Sequence, residues 1–563
     1  MGHRLGPGAG LVSADSGAGR AGAGLNGAGL QRPSWAPAAA MIHAAGPIAV
    51  GLVAFVLARA ALLPGLAFWD TGEFQAVAPL LGTDHPTGYP AYVVLGWLAS
   101  IVFAPLGDPA FRLNILSASL FAVACGLTVV LVRQLTGRSP VAIGAGLLLA
   151  LSPLPWRMGA HADPHTFHLA LLALLLVLLV GWESRLAGRA GRPDRWLLAA
   201  AAVYGVAAAN HSLSLLLAPA IVLFVLAVEP RIVLRPRLWV SCLALAAGVC
   251  LLLYLELPVR AAMGAPLVYG RPDTWDGFVY VVTGEQFRSD VLPLFADLER
   301  KVHELARRTV NELGVLAPLV LAGFVATALR RPRYALLSGV AALLTCLFDA
   351  AYVNAAIDRY YLGPLLLAIT WLGVGAAAFV DAFAPGSTLT EPAASEATPG
   401  ASGAGQGCRL RAPLGSPAAV AASLVAMAVL VGPALMAAPA SFRQADRSGD
   451  VAARRWVDGV LATLPESSVV QTWWSISTPL WYATLVEGQR PDVTVVDDSD
   501  LVDGGLGTVD ALIEANLGRR PVFVVRPYAQ LLDLSERWVL ERWEDPAGIQ
   551  AMWQVVGPRG AEP

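Results

Sequence analysis

Two carboxylates three residues apart, Asp70 and Glu73, open the stretch FWDTGEFQAVAPLLGTDHPTGYPAY at 68–92, with His85 and a Pro/Gly-rich turn behind them. Carboxylate and imidazole are the side chains that most often exchange protons with a substrate. The stretch follows directly on an apolar run, 41–63, long enough to cross a bilayer. Charged groups at a lipid boundary are costly, so polar clusters there are functional candidates. The four residues Asp70–Thr71–Gly72–Glu73 also have the form of a capping box, which would leave both acids tying down a helix start. Spacing alone leaves both readings open.

The elements that must position these groups are membrane helices. Of 563 residues, 56% are hydrophobic and only 14% charged, with a mean hydropathy of +0.59; a soluble chain carries roughly 25% charge. A formal net charge of −2 and the absence of a dense basic tract give no footing for nucleic acid. The five cysteines (Cys125, Cys242, Cys250, Cys346, Cys408) fall in apolar runs or a linker, without metal-ligand or disulfide-framework spacing.

Residues 1–40 are Gly/Ala-rich with scattered arginines, a composition that cannot bury a core, and are expected to be disordered and cytoplasmic. They lack the layout of a cleaved secretory signal, so 41–63 is expected to remain as the first helix. Further apolar runs follow at 90–105, 113–132, 140–155, 166–182, 196–209, 212–228, 238–257, 314–330, 334–350, 361–381 and 415–438. The membrane domain is expected to span 41–381, with external loops at 64–112 and 258–313 and a flexible linker at 382–414 before the last helix. Residues 440–563 change character: short β-like runs (VVQTWW, PDVTVVDD, PVFVVRP) alternate with helical segments, which reads as a small α/β domain. No Gly-rich phosphate loop appears in it.

Orientation follows from short Arg-rich loops. Placing Arg133–Arg138, Arg185–Arg195, Arg231–Arg237 and Arg330–Arg333 inside puts 156–165, Asn210–His211, 258–313, 351–360 and the C-terminal domain outside. An integral protein of a bacterial plasma membrane results, with the N-terminus cytoplasmic. Charge parity allows one crossing between Asp70 and Arg133 where two apolar runs lie, so 90–105, opened by Pro90 and closed by Pro105, is expected to be re-entrant or to lie along the external surface. The polar residues most out of place then gather on one face: Asp70, Glu73, His85, His161, Asp163, His165, His168, Asn210, His211, Arg260, Asp358 and Arg359, and six of the eight histidines are in or near these loops. In the 258–313 loop, Val291, Leu294, Leu298, Val302 and Leu305 recur at helical spacing, as in an amphipathic helix that roofs a cavity or packs on the external domain.

The sequence WDTGEFQAVAPLLGTDHPTGYPAYVVLG resembles the opening motif (D-x-G-E-F … G-x-x-H-P-x-G-x-P) of a membrane family of unknown-function domains related to protein O-mannosyltransferases and similar to the GT-C glycosyltransferases. FRLNILSAS (111–119), NHSLSLLLAPA (210–220), LYLELPVRA (253–261), the GF-x-x-x-VTGEQFR segment (277–288) and WYATLVEGQRPDVTVV (481–496) match in order. The resemblance implies a polytopic α-helical, GT-C-like membrane protein of about 11–12 hydrophobic helices, with a small C-terminal α/β extracytoplasmic domain. It also implies an external active site that moves a sugar, with mannose expected, from a polyprenyl-phosphate donor to an acceptor protein or glycan. The catalytic carboxylate of the first external loop falls on Asp70, with Glu73 the supporting or alternative acid, and His85 takes the His-Pro position. Thr71 stands where Ser is common and Thr87 where a second Pro often stands; a second acidic site is reduced to Asp163 between His161 and His165.

The chemistry is compatible with that assignment. A carboxylate can take the acceptor hydroxyl's proton as the oxygen attacks the anomeric carbon, with inversion and no covalent intermediate. The departing lipid phosphate calls for an external cation, and Arg112, Arg260 and Arg359 are the candidates. His85, Asp163, His165, Asn210 and His211 complete the expected substrate-binding face. No metal is required, although the His161/Asp163/His165 trio could bind a divalent cation. The alternative class is a lipid or solute transporter or flippase, which would place its polar groups nearer the midplane and often shows internal repeats.

Overall fold

In the computed structural model, residues 36–188, 192–291, 293, 297–353, 356–383, 417–503, 505–543 and 547–560 are described. Most of the expected N-terminal tail (1–35) and nearly all of the expected linker (384–416) lie outside them. Residues 45–563 form one compact unit; of the preceding unit, 1–44, the described residues are the first turns of a helix, Ala36–Ala60.

Among the described residues, six helices are long and apolar enough to cross a membrane: Pro109–Thr136, Pro164–Ala187, Pro236–Ala262, Pro332–Ala351, Ile357–Phe383 and Pro417–Ala445. The protein is an integral membrane protein. Pro109–Thr136 and Pro164–Ala187 sit at the centre, burying Phe121, Val129, Leu169 and Trp182, whereas Pro236–Ala262 is almost wholly unburied and presents its leucines outward. Four shorter apolar helices, Ala44–Ala60, Pro90–Val102, Ser139–Leu151 and Ser212–Val228, account for other runs in the sequence. Each is bounded by proline or polar residues that the hydropathy pattern passes over. Pro90–Val102 has 13 residues, about 20 Å at 1.5 Å per residue, against a hydrocarbon core of about 30 Å.

The run at 314–330 is the second arm of a bent pair. Leu298–Leu316 turns by 82° into Leu319–Arg330. Gly314 takes a positive φ of 54° and Pro318 follows it, which breaks the helix at that point. The amphipathic helix begins at Leu298, later than its pattern suggests, because Glu285–Asp290 forms a 3-10 turn and Val291 bridges to Tyr352; Leu294 lies outside the described residues.

The C-terminal region carries a five-stranded sheet: β1 (Val469–Gln471), β2 (Thr494–Val496), β3 (Val522–Val524), β4 (Trp538–Trp543) and β5 (Met552–Pro558), in the order β2-β1-β3-β5-β4. β1 is parallel to both neighbours, with Val470 opposite Val495 and Phe523; β5 is antiparallel to β3 and β4. The three parallel strands are those the sequence pattern marks. β4 and β5 escape the pattern because Glu541–Arg542 in WVLERW, and Gln554 with the Gly557–Pro558 end in MWQVVGP, break the alternation. The carboxyl ends of β1, β2 and β3 carry Trp473–Trp474, Asp497–Asp498 and Arg526, the edge at which open α/β sheets present functional residues.

That edge docks on the membrane domain. Helix Trp474–Trp481 packs on helix Trp69–Leu80, and Gly72 is a point of close approach: a Cβ there would meet Thr478 Oγ1 of that helix at 2.7 Å and Ala67 O, in the loop before its own helix, at 2.2 Å. The backbone N–H of Ala110 donates to Tyr482 Oη at 3.1 Å, and that hydroxyl donates to Asp108 at 3.3 Å. From the charge pattern, a cysteine-depleted protein carrying one new cysteine at exposed Arg455 or exposed Arg195 is expected to label from opposite faces of the membrane. Labelling of both from one face would overturn the orientation.

Candidate active site

Helix Trp69–Leu80 starts without a capping box. Its N-cap is Phe68, which makes no side-chain capping bond. The two acids have distant partners instead. Trp69, at a φ of 62°, is set edge-on to the rings of Trp473 (5.6 Å) and Trp474 (6.3 Å); such backbone strain costs on the order of 1–3 kcal/mol and is kept where the surroundings dictate it.

Asp70 pairs with Arg359, which stands in the 3-10 turn Ile357–Tyr361 that begins a membrane-spanning helix. The other arm of the same guanidinium reaches Asp163 Oδ2 at 3.4 Å. Asp163 is the N-cap of Pro164–Ala187, and its Oδ1 accepts from the backbone N–H of His165 at 2.7 Å and lies 2.9 Å from His165 Nδ1. Arg359 thus bridges two carboxylates from two different helix starts. Burial by itself would raise the Asp70 carboxyl, but Arg359, with help from His85, holds it below the usual carboxylate range. Asp163 is likewise held well below that range: burial opposes this, and His165 and Arg359 outweigh it. Removing one partner of such a buried pair costs about 3–5 kcal/mol.

Glu73, 1% exposed, collects three donors. Its Oε1 accepts from the His85 backbone N–H at 2.9 Å; its Oε2 accepts from Trp474 Nε1 at 2.7 Å and lies 2.8 Å from His85 Nδ1. Asp84, fully buried, lies 2.6 Å from the same ring nitrogen. Burial disfavours the imidazolium, yet Glu73 and Asp84 outweigh it and hold His85 protonated well above its usual range. Burial and the neighbouring Glu73 raise the Asp84 carboxyl. Glu73, Asp84 and His85 are also the group among the described residues whose ligand atoms converge, all within 4.8 Å; a cation could be held there only in place of the His85 proton. The His161/Asp163/His165 trio does not converge: His165 is turned onto Asp163 by a hydrogen bond, and His161, pulled down to about 4 chiefly by burial, has no partner for Nδ1 among the described residues.

Behind this front lies a packed histidine layer. His165 stacks on Tyr360 at 5.2 Å and meets His211 at 4.6 Å. His211 Nδ1 accepts from Leu213 N–H at 3.1 Å, which fixes its proton on Nε2. Asn210 donates to Pro164 O at 3.1 Å, and His168 contacts Ser214 at 3.2 Å. These residues support the site from behind. Arg112 and Arg260 stand apart from it: Arg112 donates to the nearby Gly107 O and Ser100 O at 2.7 and 2.6 Å, and Arg260 to Leu81 O and Leu80 O at 3.0 Å, at the C-terminal end of helix Trp69–Leu80.

Asp70, His85, His161, Asp163 and Arg359 face a cavity of about 910 Å³ whose outer wall includes Trp69, Tyr269 and Trp474. A second, apolar groove of about 1400 Å³ runs between the bent pair Leu298–Arg330 and helices Pro332–Ala351 and Ile357–Phe383, lined by Leu305, Leu321, Leu336, Val340 and Leu365. Arg157 and Asp358 line both spaces. Asp358 is paired with Arg157 at 3.3 Å and with Arg308, whose guanidinium lies 4.8 Å from the Tyr361 ring. Sequence reasoning passed over Arg157, Arg308 and Trp474 as site residues. Arg157 stands in the WRMGAHADPH loop already marked as external, and Trp474 was absorbed into a strand-like run.

Residues 70–232 match the family model described as Protein O-mannosyl-transferase TMEM260 N-terminal domain. The chain is 32% identical over 233 residues to Protein O-mannosyl-transferase TMEM260 of Mus musculus, an alignment covering 40% of this chain and 31% of that one. It therefore spans about a third of the length of this curated relative. Among solved structures, ArnT from Cupriavidus metallidurans bound to undecaprenyl phosphate superposes with a TM-score of 0.54 at 13% identity, covering 92% of this chain and 98% of that chain. The same enzyme in the apo state gives 0.54 at 14% over the same shares. The motif resemblance is thereby shown for residues 70–232, and the GT-C-like fold for most of the chain.

Proposed function

We propose that this protein is a glycosyltransferase that moves a sugar, with mannose expected, from a polyprenyl-phosphate donor to a hydroxyl of an extracytoplasmic acceptor protein. One observation carries the reading. An apolar groove of lipid dimensions meets a polar cavity at Arg157 and Asp358, one residue along the chain from Arg359, which pairs with Asp70. The groove suits a polyprenyl tail, the arginines suit its phosphate, and the polar cavity suits the sugar and the acceptor.

In the proposed reaction the acceptor oxygen forms its bond to the anomeric carbon as the bond from that carbon to the phosphate oxygen breaks. The hydroxyl proton goes to Asp70, and the electron pair leaves with the lipid phosphate. A retaining route needs a second free carboxylate as nucleophile, whereas both oxygens of Glu73 already accept hydrogen bonds and Asp163 is engaged by His165 and Arg359. Inversion by direct displacement follows. Glu73 then orients His85, whose imidazolium adds positive charge beside the base.

The test is transfer itself. Purified protein given polyprenyl-phosphate mannose is expected to glycosylate an acceptor hydroxyl, and mass spectrometry of co-extracted lipid is expected to find a polyprenyl phosphate. Transfer from a nucleotide sugar, with none from the lipid-linked donor, would overturn the reading. Leu336→Trp, which fills the groove, is expected to raise KM for a long-chain donor about tenfold, or about 1.4 kcal/mol, with kcat and the KM of a short-chain donor little changed. An equal effect on both donors would remove the groove as the tail site.

A further inference from the structure

The same pairing that marks Asp70 as the base also disables it. A carboxylate clamped by a guanidinium accepts a proton poorly, and Arg359 contacts both Asp70 and Asp163 in the site as it stands. We infer that Arg359 is handed from Asp70 to the donor's phosphate, so that arrival and departure of the phosphate switch the base on and off. The inference rests on the reading that Asp70 is the base and that a lipid phosphate enters from the groove.

Three features of the site carry it. First, Arg359 follows Asp358 directly in the turn Ile357–Tyr361, and Asp358 lines both the groove and the polar cavity, so the residue paired with Asp70 stands next to one that lines the phosphate's proposed entry. Second, Arg359 is not saturated: its Nε is buried with no hydrogen-bond partner among the described residues, and its contact to Asp163 is long at 3.4 Å. Third, Asp163 is itself fixed by His165 and by its capping role, so it can keep hold of one arm of the guanidinium while the other swings.

The charge balance makes the exchange follow the reaction. A sugar-linked lipid phosphodiester carries one negative charge; the lipid monophosphate that leaves carries close to two. Arg359 is therefore drawn to the phosphate most strongly as the bond to the anomeric carbon breaks, which is when Asp70 must take the hydroxyl proton. The remaining charged groups beside Asp70 are His85, backed by Glu73 and Asp84, and Asp163, backed by His165. None of them needs to move. Product release returns Arg359 to Asp70 and expels the proton, so free lipid phosphate should hold the site with its base protonated.

The experiment follows the protonation of Asp70 in full-length protein, by the infrared carboxyl band that disappears in Asp70→Asn, across pH with and without a polyprenyl monophosphate. The midpoint is expected to rise by about one to two pH units when the lipid phosphate binds, the size of effect that loss of a neighbouring guanidinium produces. In Arg359→Gln the midpoint is expected to be high already and insensitive to the lipid. The wild-type comparison decides the matter if that variant does not fold. Binding of the lipid phosphate, measured by native mass spectrometry, with an unmoved midpoint overturns the inference and leaves the donor reading standing. Failure of the lipid to bind overturns the donor reading and the inference with it.

Discussion

Asp70→Asn is expected to lower sugar transfer by about 10²–10⁴-fold, the range that general-base assistance supplies, with the protein still in the membrane and still holding its lipid. The substitution keeps shape and removes the proton acceptor. It also removes half of the ion pair with Arg359, but Asp163 remains as a partner for the guanidinium, so the cost in stability should stay below the 3–5 kcal/mol of a fully orphaned buried charge. Glu73→Gln is the informative contrast. Its amide would set an NH₂ group against one of three N–H donors, from His85 and Trp474, so it should be felt in thermal stability as much as in rate. Full transfer by Asp70→Asn would remove Asp70 from the mechanism. Equal kcat losses in both variants at equal stability would instead point to a proton or cation shared between the acids.

Arg359→Lys is expected to lose about 10²–10³-fold in kcat, the range seen when a group that stabilises developing charge is removed. An ammonium keeps the charge but is a point donor and lacks the two-armed reach of a guanidinium. It cannot hold Asp163 with one arm while offering the other first to Asp70 and then to a phosphate. Because the charge is retained, the fold should survive, and the KM for donor should change less than kcat. A kcat near wild type would show that the fork geometry is unused. Arg359→Gln differs in kind: it leaves two buried carboxylates facing each other across the cavity, so its loss of activity would be accompanied by a fall in melting temperature.

How much of this was legible in the sequence depends on the range of the interaction. Apolar runs report burial in lipid or core whatever their partners, so the membrane character and most helices were readable. The 82° turn at Gly314 was not, since it falls where the amphipathic stretch gives way to the apolar run 314–330, and neither pattern reports the angle between them. Sidedness drawn from arginine loops gathered Asp70, Asp163 and Arg359 as candidates, although the bridge between them joins residues 289 and 196 positions apart. Where local and distant partners compete, the local signature misleads. Asp70–Thr71–Gly72–Glu73 has the letters of a capping box, yet Glu73 is held by Trp474, 401 residues away, and Asp70 by Arg359. Arg112 shows the converse: it sits at a helix end, as the sequence indicated, and is engaged there with the nearby carbonyls of Gly107 and Ser100.

The hydrogen bond from Trp474 to Glu73 sets a schedule for biosynthesis. Ribosomes add about 5–20 residues per second, so on the order of half a minute separates emergence of the first loop from that of the indole that closes over it. During that interval His85 and Glu73 lack their cover, and the groove helices are still being made. A nascent chain halted before the sheet region would therefore carry the acids of the site and none of its competence. The site closes only once the sheet region has been made and Trp474 has folded back over Glu73.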